Sequence, residues 1–139
     1  MGHSLLSPSA AHRWAVCAAS VAMSKDCEET DSEYADEGTL AHTLAAAIFN
    51  KEALPSGITD EMREYIETYV ENIRIMTQGA TFAWVEQTLD LSEVLGVPDQ
   101  SGTGDYIAIV GKELQVHDLK YGKGVKVSAT NNWQLILYA

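Results

Sequence analysis

The stretch from Gly104 to Lys120 constrains the fold more than any other part of the chain. Gly104–Val110 reads Gly-Asp-Tyr-Ile-Ala-Ile-Val, and Glu113–Lys120 reads Glu-Leu-Gln-Val-His-Asp-Leu-Lys, with Leu114, Val116 and Leu119 apolar. Gly111-Lys112 lies between them. A short glycine-containing link between two β-rich runs predicts a hairpin. Folding it antiparallel brings Asp105, at the start of one strand, beside Asp118 at the end of the other. Side chains on a strand alternate with period two, so Asp118 and Lys120 share a face. Two carboxylates and a lysine then converge. Neighbouring carboxylates repel and call for a cation, usually a hard divalent ion with oxygen ligands. The same triplet also suits a plain surface hairpin with an Asp–Lys pair.

A length of 139 residues predicts one domain spanning 1–139, and 46% hydrophobic content supports one modest core. No apolar run approaches the roughly 18–20 residues that cross a bilayer. The start, Met1–Pro8, has neither the basic region nor the apolar stretch of a signal peptide. Two cysteines, Cys17 and Cys27, do not make a disulfide scaffold, so cytoplasmic residence is the default. The net charge of −11 counts against a broadly basic nucleic-acid binder. The charge is unevenly spread, however. Asp26–Glu37 holds seven acidic residues and no Lys or Arg, whereas Lys112, Lys120, Lys123 and Lys126 cluster around the Asp-x-Lys triplet. A local basic patch is compatible with a phosphate-bearing ligand.

Ser7-Pro8 suits a helix start and predicts a helix to about Met23. An exposed acidic loop follows to about Asp31, then a helix over about Ser32–Asn50 with Leu40, Ala41, Leu44, Ala45 and Ile48 at helical spacing. Pro55-Ser56-Gly57 breaks the chain. Thr59 or Asp60 caps a third helix whose apolar stripe is Met62, Tyr65, Ile66, Tyr69, Val70 and Ile73, closed by Gly79. Thr81–Leu91 alternates as a strand, and Gly96–Gly104 reads as loop before the hairpin. Tyr121–Lys126 is a glycine-containing loop, and about Ala129–Ala139 reads as a final helix.

His42 lies on the second predicted helix. Packed against the hairpin end, its neutral imidazole and the carboxylates of Asp105 and Asp118 would make a Mg²⁺ or Mn²⁺ site with open water positions. A structural or exposed histidine is the alternative. Zinc is disfavoured, because no cysteine or histidine partner stands at ligand spacing. Lys120 beside such a site can hold an attacking water in line with phosphorus, or stabilise charge developing on a phosphate. Gln134 and Tyr138, four apart on one helical face, could steady Lys120 or a nucleic-acid backbone. A half-buried helix end would also account for them.

In order along the chain, Gly38-Thr39-x-x-His42, Gly102-x-x-Asp105, Asp118-x-Lys120 and Gln134-x-x-x-Tyr138 resemble the motif series of RecB-type nucleases of the PD-(D/E)xK superfamily. The opening Ser-Leu-Leu-Ser-Pro-Ser-Ala-Ala-His-Arg-Trp, with Cys17 soon after, and the Ala35–His42 stretch look like a phage and prophage branch of that group, usually described only as a domain of unknown function. The resemblance covers nearly the whole chain. It implies an α/β (α+β) fold of the restriction-endonuclease-like kind, a mixed central sheet flanked by helices, with one or two Mg²⁺ or Mn²⁺ ions. His42, Asp105 and Asp118 would be ligands, helped by the main-chain carbonyl of Leu119. Asp105, Asp118 and Lys120 would be catalytic, with Lys120 positioning water. Gln134 and Tyr138 would support substrate or lysine, with Lys123 and Lys126 as further nucleic-acid contacts. Glu86, on the strand before the hairpin, could add a carboxylate but stays outside this set.

Some relatives hold an iron–sulfur cluster on four cysteines. Only Cys17 fits that pattern here, so no iron–sulfur cluster is expected. The family's core continues past the Gln-x-x-x-Tyr helix, so a sheet lacking its last strand is expected, with an edge that dimerisation or strand exchange could cover. The expected function is a Mg²⁺- or Mn²⁺-dependent, exonuclease-like deoxyribonuclease. It would act on DNA in phage recombination, replication or processing, in the bacterial cytoplasm and not at a membrane. The alternative is a catalytically inactive nuclease-fold module that binds or assembles with a phage recombination partner. A third reading, an acidic DNA mimic, rests on Asp26–Glu37, for which an exposed loop is the duller explanation.

Overall fold

The computed structural model describes residues 5–25, 27, 33–123 and 126–139. Its clearest helix follows from one cap. Thr59 sits in extended backbone, and its hydroxyl accepts the Met62 amide at 3.1 Å, satisfying one orphan donor of the first turn. Asp60 and Glu61 then place negative charge at the helix start, where the dipole favours it. This helix, Asp60–Met76, buries Met62, Ile66, Val70 and Ile73, as the stripe predicts, but leaves Tyr65 at 61% exposure. A longer neighbour, Glu33–Asn50, buries Ala41, Leu44 and Ala45 against it, together with Leu119.

Three strands follow: β1 (Phe82–Asp90), β2 (Ser101–Val110) and β3 (Glu113–His117), paired antiparallel in the order β1-β2-β3. Gly111, at φ +62°, makes the β2–β3 turn where the sequence placed it. Tyr106 and Ala108, two apart on β2, meet Ile73, Phe49, Tyr69 and Val85, which joins the two long helices to one face of the sheet. Phe82 and Trp84 stack on β1 with ring centroids 5.7 Å apart, exposed to solvent. The result is an α/β fold, an open three-stranded sheet flanked by helices, with the restriction-endonuclease-like architecture that the resemblance implies.

Among the described residues, with the short pieces included, the helices are α1 (Ala11–Trp14), α2 (Ala19–Ser24), α3 (Glu33–Asn50), α4 (Asp60–Met76), α5 (Ser92–Leu95) and α6 (Trp133–Tyr138). Three expectations change. The first helix is broken into a 3₁₀ turn at Pro8–Ala10, α1 and α2, and Ser7 makes no side-chain cap. The Trp14 indole donates to the Ser7 carbonyl at 2.9 Å and folds the segment back, while the amides of Val16 and Cys17 close on Arg13. An alanine-rich run offers too little apolar stripe to hold one straight helix against that contact. The Gly96–Gly104 loop is shorter than expected: Gly96 at φ +65° caps α5, residues 97–100 form the turn, and β2 already begins at Ser101. The last helix is shorter than expected and starts at Asn132, whose side chain accepts the Leu135 amide at 3.2 Å. The acidic loop expected over Asp26–Asp31 lies outside the described residues except for Cys27, as does the Gly124-Val125 part of the loop after β3.

Gly102 belongs in the strand because of what rests on it. A Cβ there would come within 2.6 Å of Pro8 Cγ and 2.7 Å of Tyr138 Cε1, both on buried residues. The amino-terminal turn and α6 therefore close on β2 at a point that admits no side chain. Gly102→Ala is expected to destabilise the fold by about 1–3 kcal/mol through overpacking, read as a lower denaturant midpoint with an unchanged slope.

Candidate metal centre

Strand register sets the site. Val85 pairs with Tyr106 and Gln87 with Gly104, so Glu86 falls opposite Asp105. Tyr106 pairs with His117, so the next rung sets Asp105 opposite Asp118. Glu86, Asp105 and Asp118 thus occupy one row across the sheet. In a regular strand Glu86 would share the exposed face of Trp84. Its backbone instead takes a left-handed φ of +51° and drops out of the pairing ladder. That conformation costs a residue with a side chain about 1–3 kcal/mol and is typically kept where function needs it. Here it turns the carboxylate toward α3, where Glu86 lines a pocket of about 410 Å³ with Thr39, His42 and Thr43.

The ligand atoms of His42, Glu86 and Asp105 all lie within 4.8 Å of one another. His42 Nδ1 is 3.2 Å from Asp105 Oδ1, and the Leu119 amide donates to Asp105 Oδ2 at 2.6 Å. Both oxygens of Asp105 are therefore held. Asp118 is not among these three donors, and its carboxylate is engaged elsewhere. Its Oδ2 lies 2.5 Å from Lys120 Nζ, and its Oδ1 accepts from Gln134 Nε2 at 2.8 Å. Lys120 also donates to Gln134 Oε1 at 3.0 Å, closing a triangle of Asp118, Lys120 and Gln134.

Of the residues singled out from sequence, His42 and Asp105 meet as expected. The donor cluster contains Glu86 where the sequence pattern set Asp118. Leu119 was enlisted through its carbonyl. What the structure shows of it is an amide turned to Asp105 and a side chain in the core. Gln134 reaches Asp118 and Lys120, while Tyr138 is buried over Gly102. Lys123 and Lys126 are exposed on the loop after β3. Lys112 sits in the hairpin turn at the far end of β3, about 17 Å of strand away, and leaves the basic group. Glu86 was named from sequence only as a further carboxylate outside the set, because its place in the cluster depends on the strand register and the turned backbone.

The electrostatics favour positive charge. His42 is raised above its ordinary value chiefly by its hydrogen bond to Asp105 and then by the charges of Asp105, Glu86 and Asp118, against opposing burial. Burial, and then the negative charge of Asp105, pushes Glu86 up. Burial also raises Asp118, with Lys120 opposing. The Tyr69 hydroxyl is buried without a hydrogen-bond partner among the described residues, and burial followed by the charges of Asp105, Asp118 and Glu86 holds its proton on. One imidazole and two carboxylates, with His42 and Asp105 half-buried and Glu86 exposed, suit a hard divalent cation.

The fold and this donor set define an α/β module with a His/Glu/Asp cluster that could hold a divalent metal ion. The chain belongs to the family described as Protein of unknown function (DUF2800), whose family model matches residues 3–139. No solved structure matches it. Among the described residues no helix is long and apolar enough to cross a membrane.

His42, Glu86 and Asp118 each hold a proton more tightly in the folded chain than in the unfolded one. The His42 contribution is complete below the unfolded value of 6.5 and is lost as pH rises through the raised folded value. Glu86 and Asp118 penalise the fold once they ionise. A divalent cation reverses this preference. Mn²⁺ at about a hundredfold excess over its Kd is therefore expected to stabilise the chain by about 2.7 kcal/mol, more at pH 8 than at pH 6, with the increment lost in His42→Ala. Thermal melts with and without Mn²⁺ measure this. Glu86→Gly is expected to relieve the backbone and match or exceed wild-type stability while abolishing the Mn²⁺ increment, whereas Glu86→Ala keeps the strain.

Proposed function

We propose that this chain is a divalent-metal-dependent deoxyribonuclease of the PD-(D/E)xK kind, similar to RecB-type nucleases. It hydrolyses phosphodiester bonds in phage DNA recombination, replication or processing within the bacterial cytoplasm. The observation that carries the reading is the His42–Glu86–Asp105 donor set together with an ammonium on Lys120, held by Asp118 next along the same row. The motif order of the sequence supports it. So does the flank of Lys123 and Lys126, which can meet backbone phosphates by charge alone.

His42, Glu86 and Asp105 would hold a Mg²⁺ or Mn²⁺ ion, which when bound supplies Lewis acidity at phosphate oxygens and makes a water easier to deprotonate. The rest is the chain's own work. Asp118 and Gln134 fix the Lys120 ammonium from two sides. Lys120 orients the water and opposes the charge that builds on phosphate in the transition state. The Leu119 amide and His42 keep Asp105 from rotating. The water oxygen bonds to phosphorus, one ester P–O bond breaks, and the water's proton is lost as the leaving oxygen gains one.

Linear and circular DNA incubated with Mn²⁺ or EDTA test the reading. Lys120→Ala and Asp105→Asn are each expected to lower Mn²⁺-dependent cleavage by roughly 10²–10³ with unchanged circular dichroism. Wild-type rates in both variants would refute it. Tight Mn²⁺ binding without cleavage by the native chain would favour the inactive binding module instead.

A further inference from the structure

Lys120 also lines a second pocket of about 440 Å³, between the starts of α3 and α4 and the segment after β3. That volume lies within the range of small-molecule sites. Its floor is apolar, made by Ile66 and Leu119, which are 0% and 7% exposed. Glu37 and Glu61 supply carboxylates, Tyr65 and Tyr121 supply rings, and Lys120 and Lys123 supply ammonium groups. Burial first, and then Glu37, Glu61 and Tyr65 nearby, hold the Tyr121 hydroxyl above its ordinary value, which shows these groups gathered around it.

This lining selects its occupant. Two carboxylates would repel a phosphate placed inside. An aliphatic chain would strip water from those carboxylates without replacing its hydrogen bonds. A flat aromatic ring carrying an amino group satisfies both parts, because it stacks on tyrosine and donates to a carboxylate. A phosphate attached to that ring would lie toward the lysines. We propose that the pocket holds an unpaired nucleobase bearing an exocyclic amino group, such as cytosine or adenine, of the nucleotide next to the phosphate at Lys120. In a duplex the amino edge is engaged in pairing, so a base can enter only from a single strand, a frayed end or a flipped nucleotide. The site therefore works on unpaired DNA. The inference rests on the reading of the neighbouring centre as a nuclease.

Fluorescence anisotropy with short labelled oligo-dC, oligo-dA and oligo-dT, in EDTA so that no strand is cut, tests it. The native chain is expected to bind oligo-dC and oligo-dA about tenfold more tightly than oligo-dT. The double variant Glu37→Gln, Glu61→Gln is expected to lose that preference with unchanged circular dichroism. Tyr121→Leu, which keeps the apolar packing, should weaken all three. Equal binding of the three oligonucleotides by the native chain, or a preference unchanged in the double variant, would overturn the pocket assignment alone. Failure to bind any oligonucleotide, together with no Mn²⁺-dependent cleavage, would remove the nuclease reading and this inference with it.

Discussion

Asp105 is the point on which the molecule closes. One of its oxygens meets His42 on the longest helix, the other takes the Leu119 amide just past the last strand, and Glu86 lies opposite on the edge strand. Two segments far apart in sequence are thereby tied to one carboxylate, and a third sets a second carboxylate against it. The tie is electrostatically incomplete, since Glu86 and Asp118 crowd the same row with negative charge. An imidazole that holds its proton offsets part of that excess, and a divalent cation would offset more.

The neighbouring triangle of Asp118, Lys120 and Gln134 handles the opposite problem. A lysine ammonium on a flexible stem has many positions open to it, and holding it to one costs side-chain entropy. Two hydrogen-bond partners on different elements restrict it before any ligand arrives. Leu119 lies between Asp118 and Lys120 in sequence and is buried in the helical core, so the register of Asp118 and Lys120 is set by apolar packing as much as by charge. The chain's net charge of −11 sharpens the contrast. A negative molecule draws cations to its carboxylates from a distance but opposes a polyanion. On the proposed reading, DNA must be gripped locally, by Lys120, Lys123 and Lys126.

Backbone strain and backbone bareness mark the two places where local preference yields to the site. Glu86 takes a left-handed conformation that glycine would adopt more easily, and Gly102 is a glycine inside a strand, where it weakens the local preference but leaves room for Pro8 and Tyr138. Each departs from what its neighbours predict. Such departures are expected where a chain gives up local consistency for function or for a close approach. The exposed Phe82–Trp84 pair departs in a third way, as apolar surface left on an edge strand, and nothing in the structure explains it.

Much of this was legible from the residues alone, because the signals were local. The β2–β3 hairpin needed only Gly111 between two alternating runs, and it placed Asp105 opposite Asp118 correctly. The buried stripe and cap of α4 followed from spacing and from Thr59. His42, on α3, was placed beside Asp105 without coordinates. What the tertiary structure alone decided was partnership. Glu86 joins the cluster because the β1–β2 register and a positive φ turn it there, and neither can be read from a window of sequence. Asp118 turns to Lys120 and Gln134 because α6 docks against the end of the hairpin. Gly102 becomes strand because Pro8 and Tyr138, which are 130 positions apart in the chain, land on it. Short-range periodicity determines which elements form, and only packing between distant elements determines which charges meet.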